Sequence, residues 1–315
     1  MPSKYKSIDL SNLKTISIKD RLSKVDSKDF ACVCNKGSSL ADFIDTLPEI
    51  LAGSVLRKLI SKIVDAKIKG KPVIVSMGAH VIKCGLSPII IDLMRRGVID
   101  TLALNGAGAI HDCEVALVGA TSEDVVRGMQ DGSFGMAYET ADFLNNCAQI
   151  SMEQDLGFGE SLGKALVEQK TEYNNVSLLA SAYEFDVPVT IHACIGCDIV
   201  HMHESADGEA IGAASMHDFR ILTSAMKELG NGGVIMNLGS AVVLPEVVLK
   251  ALTTVINLGY NMSGMFGFNL DFVQHYRSNT QIVARVKEIG GDGASLTGHH
   301  EIMIPLIAAG IIESL

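Results

Sequence analysis

The chain is predicted to fold as a doubly wound α/β protein, with a mostly parallel Rossmann-like sheet. Three observations carry this expectation. Short β-branched runs recur from about residue 70 onward, most of them end at glycine or another small residue, and segments of helical apolar spacing separate them. Strands that alternate with helices pair in parallel through right-handed crossovers.

Taken in order, residues 1–70 read as an extension and a helical lead-in. Ser38 and Ser39 are candidate N-caps for a helix through Leu47, and Ala52 to Ile68 has helical apolar spacing. Pro72 to Met77 is the first strand, stopped at Gly78, and Leu86 to Met94 is the helix after it. Ile99 to Leu104 is the second strand, running into Asn105-Gly106-Ala107-Gly108. Further strands are expected at Pro188 to Ala193, Gly233 to Leu238 and Gly264 to Leu270. The last junction, Gly293 to Glu301, leads into the apolar helix Ile302 to Ile312. No composition break divides residues 71–315, which are read as one α/β domain.

Composition narrows the function classes. The 315 residues are 48% hydrophobic and 20% charged, enough for a sizeable core and far from the charge excess of disordered chains. A net charge of -10, with no Lys/Arg cluster interleaved with aromatics, argues against a nucleic-acid surface. No apolar run approaches the ~20 residues of a membrane span, and no apolar segment follows Met1-Pro2-Ser3-Lys4-Tyr5-Lys6 as a leader would require. A cytoplasmic protein is expected. The seven cysteines read as small core hydrophobes. Cys194-Ile195-Gly196-Cys197 has redox or zinc spacing, but no second such pair completes a four-ligand site.

Ligands of open α/β sheets bind beyond the carboxyl ends of strands, so the strand-end turns hold the candidate site. Gly78, Ala79 and His80 form one, Asn105, Gly106, Ala107 and Gly108 a second, and Gly239 with Ser240 a third. Their small residues would let backbone amides approach a dinucleotide pyrophosphate, although His111 replaces the third glycine of the usual fingerprint. At the last junction His299, His300 and Glu301 are candidate acid/base groups. Asp198, His111, Asp271 and His275 are candidate substrate contacts. If the segment from Asp198 to Gly208 were extended, His201 and His203 would face one way and could share a divalent ion with a carboxylate such as Asp198 or Glu301.

These stretches resemble the deoxyhypusine synthase family, and more closely its bacterial deoxyhypusine synthase-like branch. The matching segments are Lys71 to Ile74, Gly85 to Pro88, Leu104 to Asp112, Ile195 to His203, Asn237 to Glu246, Phe272 to Arg277 and Thr297 to Pro305. The resemblance implies an NAD-binding fold, usually a homotetramer, and NAD-assisted chemistry on a polyamine that passes through an imine on an active-site lysine. It also implies that Gly78, Ala79, His80, Asn105, Gly106 and Ala107 hold the dinucleotide. The Trp-Gly-Lys stretch bearing the family's lysine is absent, because the chain has no tryptophan, and Thr297-Gly298-His299 stands in its place. Lys287 is the nearest other lysine in sequence. The family's paired glutamates are Ile110 and His111 here.

Deoxyhypusine synthesis itself is therefore not expected. The leading reading is a deoxyhypusine synthase-like transferase that uses NAD for amine or imine chemistry on a small substrate, with His299, His300, Glu301 and His201 as catalytic groups. Two alternatives stand beside it: a metal-assisted hydrolase or lyase built on His201 and His203, and a ligand-binding paralogue without catalysis.

Overall fold

The computed structural model describes residues 4–315. Met1, Pro2 and Ser3, on which the leader reading partly rests, lie outside the described residues. Six strands form one parallel sheet: β1 (Val73–Met77), β2 (Thr101–Asn105), β3 (Val189–His192), β4 (Val234–Leu238), β5 (Phe266–Asp271) and β6 (Asp292–Thr297), in the order β3-β2-β1-β4-β5-β6. All five pairings are parallel. Chain order reverses between β1 and β4, which makes their carboxyl ends the topological switch point.

The helices follow the chain as α1 (Leu40–Thr46), α2 (Leu51–Ile68), α3 (His80–Lys83), α4 (Ser87–Arg95), α5 (Gly106–Val118), α6 (Val125–Asp131) and α7 (Tyr138–Gln154). Then come α8 (Phe158–Gln169), α9 (Leu178–Glu184), α10 (Gly208–Met226), α11 (Val243–Asn257), α12 (Tyr276–Ser278), a π-helical stretch Asn279–Ala284, α13 (Arg285–Glu288) and α14 (His300–Ser314). Ser39 starts α1 with the reciprocal Ser39/Asp42 capping box.

Strand side chains alternate between two cores. Val73, Val75 and Met77 join Val234, Met236 and Leu238 against α2, α4, α5 and α14, while Ile74 and Ile235 face α10, α11 and the π-helical stretch. The segment 40–68, read as a lead-in, thus covers part of the sheet: Leu59, Ile60 and Ile63 of α2 are buried. Gly310 of α14 permits this approach, since a Cβ there would lie 2.5 Å from Ile60 Cδ1. No described helix is long and apolar enough to cross a membrane.

The cysteine expectation needs correction. Cys113 and Cys147 are buried, but Cys32, Cys34 and Cys197 are exposed and Cys84 and Cys194 half-buried. Residues just before α1 and just after β3 lie off the packed layers, so no apolar neighbours cover those thiols.

Strand β3 is an edge, and its outward backbone groups are satisfied by α10. Asp218 Oδ2 accepts from the Ile191 N–H at 2.6 Å and from the Gly159 N–H at 2.9 Å. Ser215 Oγ accepts from the Ala193 N–H and donates to the Ile191 carbonyl. This closes the edge to further strands. Asp218 is fully buried and its Oδ1 has no partner, and burial pushes its carboxyl up to about 7.

The native state therefore holds this proton more tightly than the unfolded chain, whose ordinary value is 3.8. Asp218's contribution to stability is complete below about pH 4 and is lost as pH rises toward about 7. Burial also raises Asp112, to about 6, so its contribution runs the same way. In urea unfolding, Asp218→Asn should flatten this pH dependence and keep stability at neutral pH, because its amide oxygen can still accept both N–H groups. Asp218→Ala should cost roughly 2–4 kcal/mol by leaving two buried donors unpaired. Equal slopes for wild type and Asp218→Asn would contradict the assignment.

Candidate functional site

The strand-end turns meet where the chain order predicts. Gly78, after β1, faces the turn after β4 so closely that a Cβ on it would lie 2.6 Å from the Gly239 carbonyl oxygen. Gly239 has φ +68, which favours glycine, and a Cβ there would lie 2.6 Å from His300 Cε1. His300 is 1% exposed. Its Nε2 lies 3.4 Å from the Leu270 carbonyl and 4.0 Å from Asp271, and its Nδ1 is buried without a partner. Burial holds its pKa below the usual histidine value, which favours the neutral ring.

Around this wedge stands a group of rings. His80 and Phe272 lie 5.6 and 6.1 Å from His300 between ring centroids, and His299 stacks parallel to Phe272. The Cys84 thiol sits 3.3 Å from His80 Nε2 and 3.8 Å from Glu301 Oε2, and Glu301 lies 3.8 Å from His299. Burial and then Glu301 push the Cys84 thiol up, whereas Glu301 is held down chiefly by its own amide at the start of α14. The predicted trio of His299, His300 and Glu301 is thus brought together with His80. Asp271 joins through His300, but His275 is exposed at the start of α12 and has no described side-chain partner in the crevice.

Beside the crevice, past α3, lies a second concavity of about 180 Å³ at the amino end of α5. It is lined by Lys83, Ala107, Ile110, His111, Glu114, Glu123, Cys197 and Asp198 among others. Within it His111 Nδ1 lies 2.6 Å from Thr121 Oγ1, and the Thr121 hydroxyl donates to Glu114. A hydroxyl that donates to Glu114 receives from His111, so Nδ1 carries the proton and Nε2 is left as a base. Burial lowers the His111 pKa, outweighing the neighbouring Glu114. Glu123 Oε1 accepts from the Gly135 N–H and Asp198 Oδ2 from the Cys194 N–H. Burial raises the Asp198 carboxyl, against that hydrogen bond and His201.

Asp198 also changes the reading of Gly106-Ala107-Gly108. A Cβ on Gly106 would lie 2.0 Å from Asp198 Oδ2, and Asn105 caps α5 by accepting from the Gly108 N–H. A carboxylate already lies against the first turn of this helix, where a phosphate was expected. The turns Gly78 to His80 and Gly239 to Ser240 pack instead against each other and against His300. Neither Val242 nor His299, the residues before α11 and α14, caps its helix with a side chain.

Three further expectations are corrected. His201 and His203 are not on an extended segment: Ile199–Met202 is a 3-10 turn, His201 Nδ1 accepts from the Gly196 N–H, and His203 Nε2 donates to the Gly135 carbonyl at 2.7 Å. Among the described residues no group of three His, Cys, Asp or Glu side chains is placed to hold a metal ion. His201 follows β3 and His299 follows β6, the two edges of the sheet, so five strand spacings of about 4.8 Å separate them and they do not form one catalytic group. Lys287 lies on α13, which runs back antiparallel to the strands and ends at Gly290-Gly291 beside the amino end of β5. That is the opposite end of the sheet from the crevice.

Sequence reading missed Lys83, Cys84, Thr121, Glu114 and Glu123. One signal was available: His111 and Glu114 are three apart on a helix and share a face. Thr121 and Glu123 come from the irregular loop after α5, which has no periodicity to read.

No family model and no curated protein matches this chain. Solved structures do. A conserved protein assigned as LOR/SDH from Methanococcus maripaludis S2 superposes with a TM-score of 0.52 at 12% identity, over 93% of this chain and 76% of that one. The complex of AgrE with ornithine and NAD+ gives 0.54 at 13% identity, over 82% of this chain. The match takes in 32% of AgrE, so this chain spans about a third of that protein's length. A protein assigned as a deoxyhypusine synthase from Entamoeba histolytica gives 0.52 at 11% identity, over 88% of this chain and 94% of that one. The chain has the α/β Rossmann-like fold of these deoxyhypusine synthase-like and LOR/SDH-type proteins.

Proposed function

We propose that the chain is an NAD-assisted enzyme of the deoxyhypusine synthase-like kind acting on a small amine, with the dinucleotide in the β1/β4 crevice and the amine in the acidic pocket beside it. The His111-Thr121-Glu114 relay is the observation that carries this reading. Glu114, Glu123 and Asp198 set three carboxyl groups against the single ammonium of Lys83 on the pocket wall, which favours a cationic ligand. Ile110 and His111 replace the glutamates of true synthases, and these three acids supply the negative field instead. AgrE, of the same fold, binds ornithine and NAD+, an amine and a dinucleotide together.

The residues of the crevice fit a dinucleotide. Gly78 and Gly239 let the two strand-end turns approach backbone to backbone, and the start of α14, where His299 supplies no capping side chain, suits an anion. NAD, when bound, supplies a hydride acceptor for the carbon that bears the amine. His111 Nε2, the unprotonated nitrogen of a neutral ring, removes the ammonium proton so that the nitrogen lone pair is available. Thr121 and Glu114 hold the ring in that tautomer and stabilise the imidazolium that forms. His80, His299 and Phe272 stand around the His300 ring at the crevice. Transfer through a lysine imine has less support: Lys287 is at the wrong end of the sheet, and Lys83 is exposed, whereas such a lysine must be desolvated. The closer resemblance to the bacterial branch and a tetrameric state belong to this reading as expectations from sequence.

Calorimetric titration of the ligand-stripped chain with NAD should give micromolar binding that weakens about tenfold in His80→Ala. Absence of binding to the folded protein would remove the reading. With NAD present, reduced nicotinamide should form on addition of ornithine, spermidine or a shorter diamine. His111→Gln should lower kcat by about 10² to 10⁴ while NAD affinity stays within twofold of wild type. Because the His111 pKa lies below 6.5, wild-type activity should be level across neutral pH and fall only as pH drops into the acid range. Unchanged turnover in His111→Gln would sink the assignment of the base.

A further inference from the structure

The turn after β3 carries two thiols that the proposed reaction does not use. Cys194 and Cys197 are the first and last residues of a four-residue turn, closed by the Cys197 N–H donating to the Cys194 carbonyl at 2.9 Å. Gly196 supplies the left-handed third position, at φ +83. Such a turn keeps its end Cα atoms within about 7 Å, the span a disulfide can bridge. Cys194 and Cys197 thus stand at the two ends of one tight turn. Both are free, with Cys197 exposed and Cys194 half-buried.

The turn is also held from both sides. The Gly196 N–H donates to His201 Nδ1 at 3.2 Å, and the Cys194 N–H donates to Asp198 Oδ2 at 3.2 Å. A side chain added at Gly196 would meet nothing within 4 Å, so the turn's outer side is open to a reactant. The other closely spaced pair is built differently. Cys32 and Cys34 are exposed two residues apart, and the Cys34 thiol donates weakly to the Asn35 carbonyl rather than to Cys32.

We infer that Cys194 and Cys197 are a thiol-disulfide exchange site whose substrate is a small-molecule disulfide. Cys197 is the attacking sulfur, since it is the more exposed of the two. Its thiolate attacks one sulfur of the disulfide, the S–S bond breaks, and the other half leaves as a thiolate that takes up a proton. Cys194, deprotonated in turn, attacks Cys197 of the mixed disulfide and expels the second half. The protein loses two hydrogens as one S–S bond forms, and the disulfide is reduced to two thiols. The two half-reactions run backwards when thiol is in excess. Cys197 lines the acidic pocket, which places this exchange on its rim, but the site does not depend on the amine or NAD reading.

The test uses the full chain with glutathione disulfide, acid quenching, alkylation of remaining thiols and mass spectrometry of the Cys194–Cys197 peptide. Wild type should lose two hydrogens there, and excess reduced glutathione should reverse the loss. Cys194→Ser should accumulate one glutathione on Cys197. Cys197→Ser should react at Cys194 at least about tenfold more slowly than Cys194→Ser reacts at Cys197. Circular dichroism verifies that both variants fold. If Cys194 and Cys197 of wild type stay fully alkylatable while Cys32 or Cys34 takes up glutathione, or if wild type stops at the mixed disulfide, the site is not an exchange pair.

Discussion

A run of buried hydrogen bonds under the crevice floor holds the strand ends in place. Ser76 on β1 donates to the Met236 carbonyl of β4 and reaches Asn237 Oδ1. The Asn237 amide donates to the Ser240 carbonyl and to Asn269 of β5, Asn269 donates to Gln274, and Gln274 donates to the Leu296 carbonyl of β6. Ser76, Asn237 and Asn269 are fully buried, where an unpaired amide is costly and a satisfied network is rigid. The network therefore fixes four strands at their carboxyl ends and pins the turn from Gly239 to Ala241. Only with that turn fixed can the His300 ring lie against Gly239, and only then does α14 begin beside His80.

The two concavities are separated by α3 and differ in chemistry for that reason. Lys83 faces the acidic pocket, while His80 and Cys84, one turn apart, face the crevice rings. The pocket gathers carboxyl groups from three separate elements: Glu114 on α5, Glu123 in the loop after it, and Asp198 after β3. The crevice instead gathers imidazoles and small residues. The two sides of α3 thus carry different chemistry, carboxyl groups on one and imidazoles with small residues on the other.

The sheet was legible because its strands are short β-branched runs, most of them closed by glycine, and the alternation with helices leaves one class of topology. Gly78 and Gly239 were legible as strand-end turns, and their close packing on each other and on His300 gives the reason a glycine stands at each. His299, His300 and Glu301 were found from position alone. What could not be read is which turns face each other. His201 and His299 look equivalent in sequence, each a polar group after a strand, yet strand order puts them at opposite edges. Lys287 looked near His299 by counting residues, but β6 runs the length of the sheet between them. The His111-Thr121-Glu114 relay depends on an irregular loop returning to its own helix, which no periodic pattern encodes. Nothing in the sequence marks Asp218 or Asp112, and only their packing against backbone N–H groups of other elements gives them a structural role.

Asp198 decides how the site divides. The amino end of a 13-residue helix is a favourable anion position, and the chain's own Asp198 carboxyl group lies against Gly106 at the start of α5. That carboxylate is delivered by the turn after β3, whose shape depends on Gly196, on the Asp198 contact to the Cys194 amide and on His201 closing the loop from below. With Asp198, Glu114 and Glu123 on its wall, the space over the start of α5 is lined by acids. A single aspartate thus puts a carboxyl group where the glycine pattern alone would leave an open helix start.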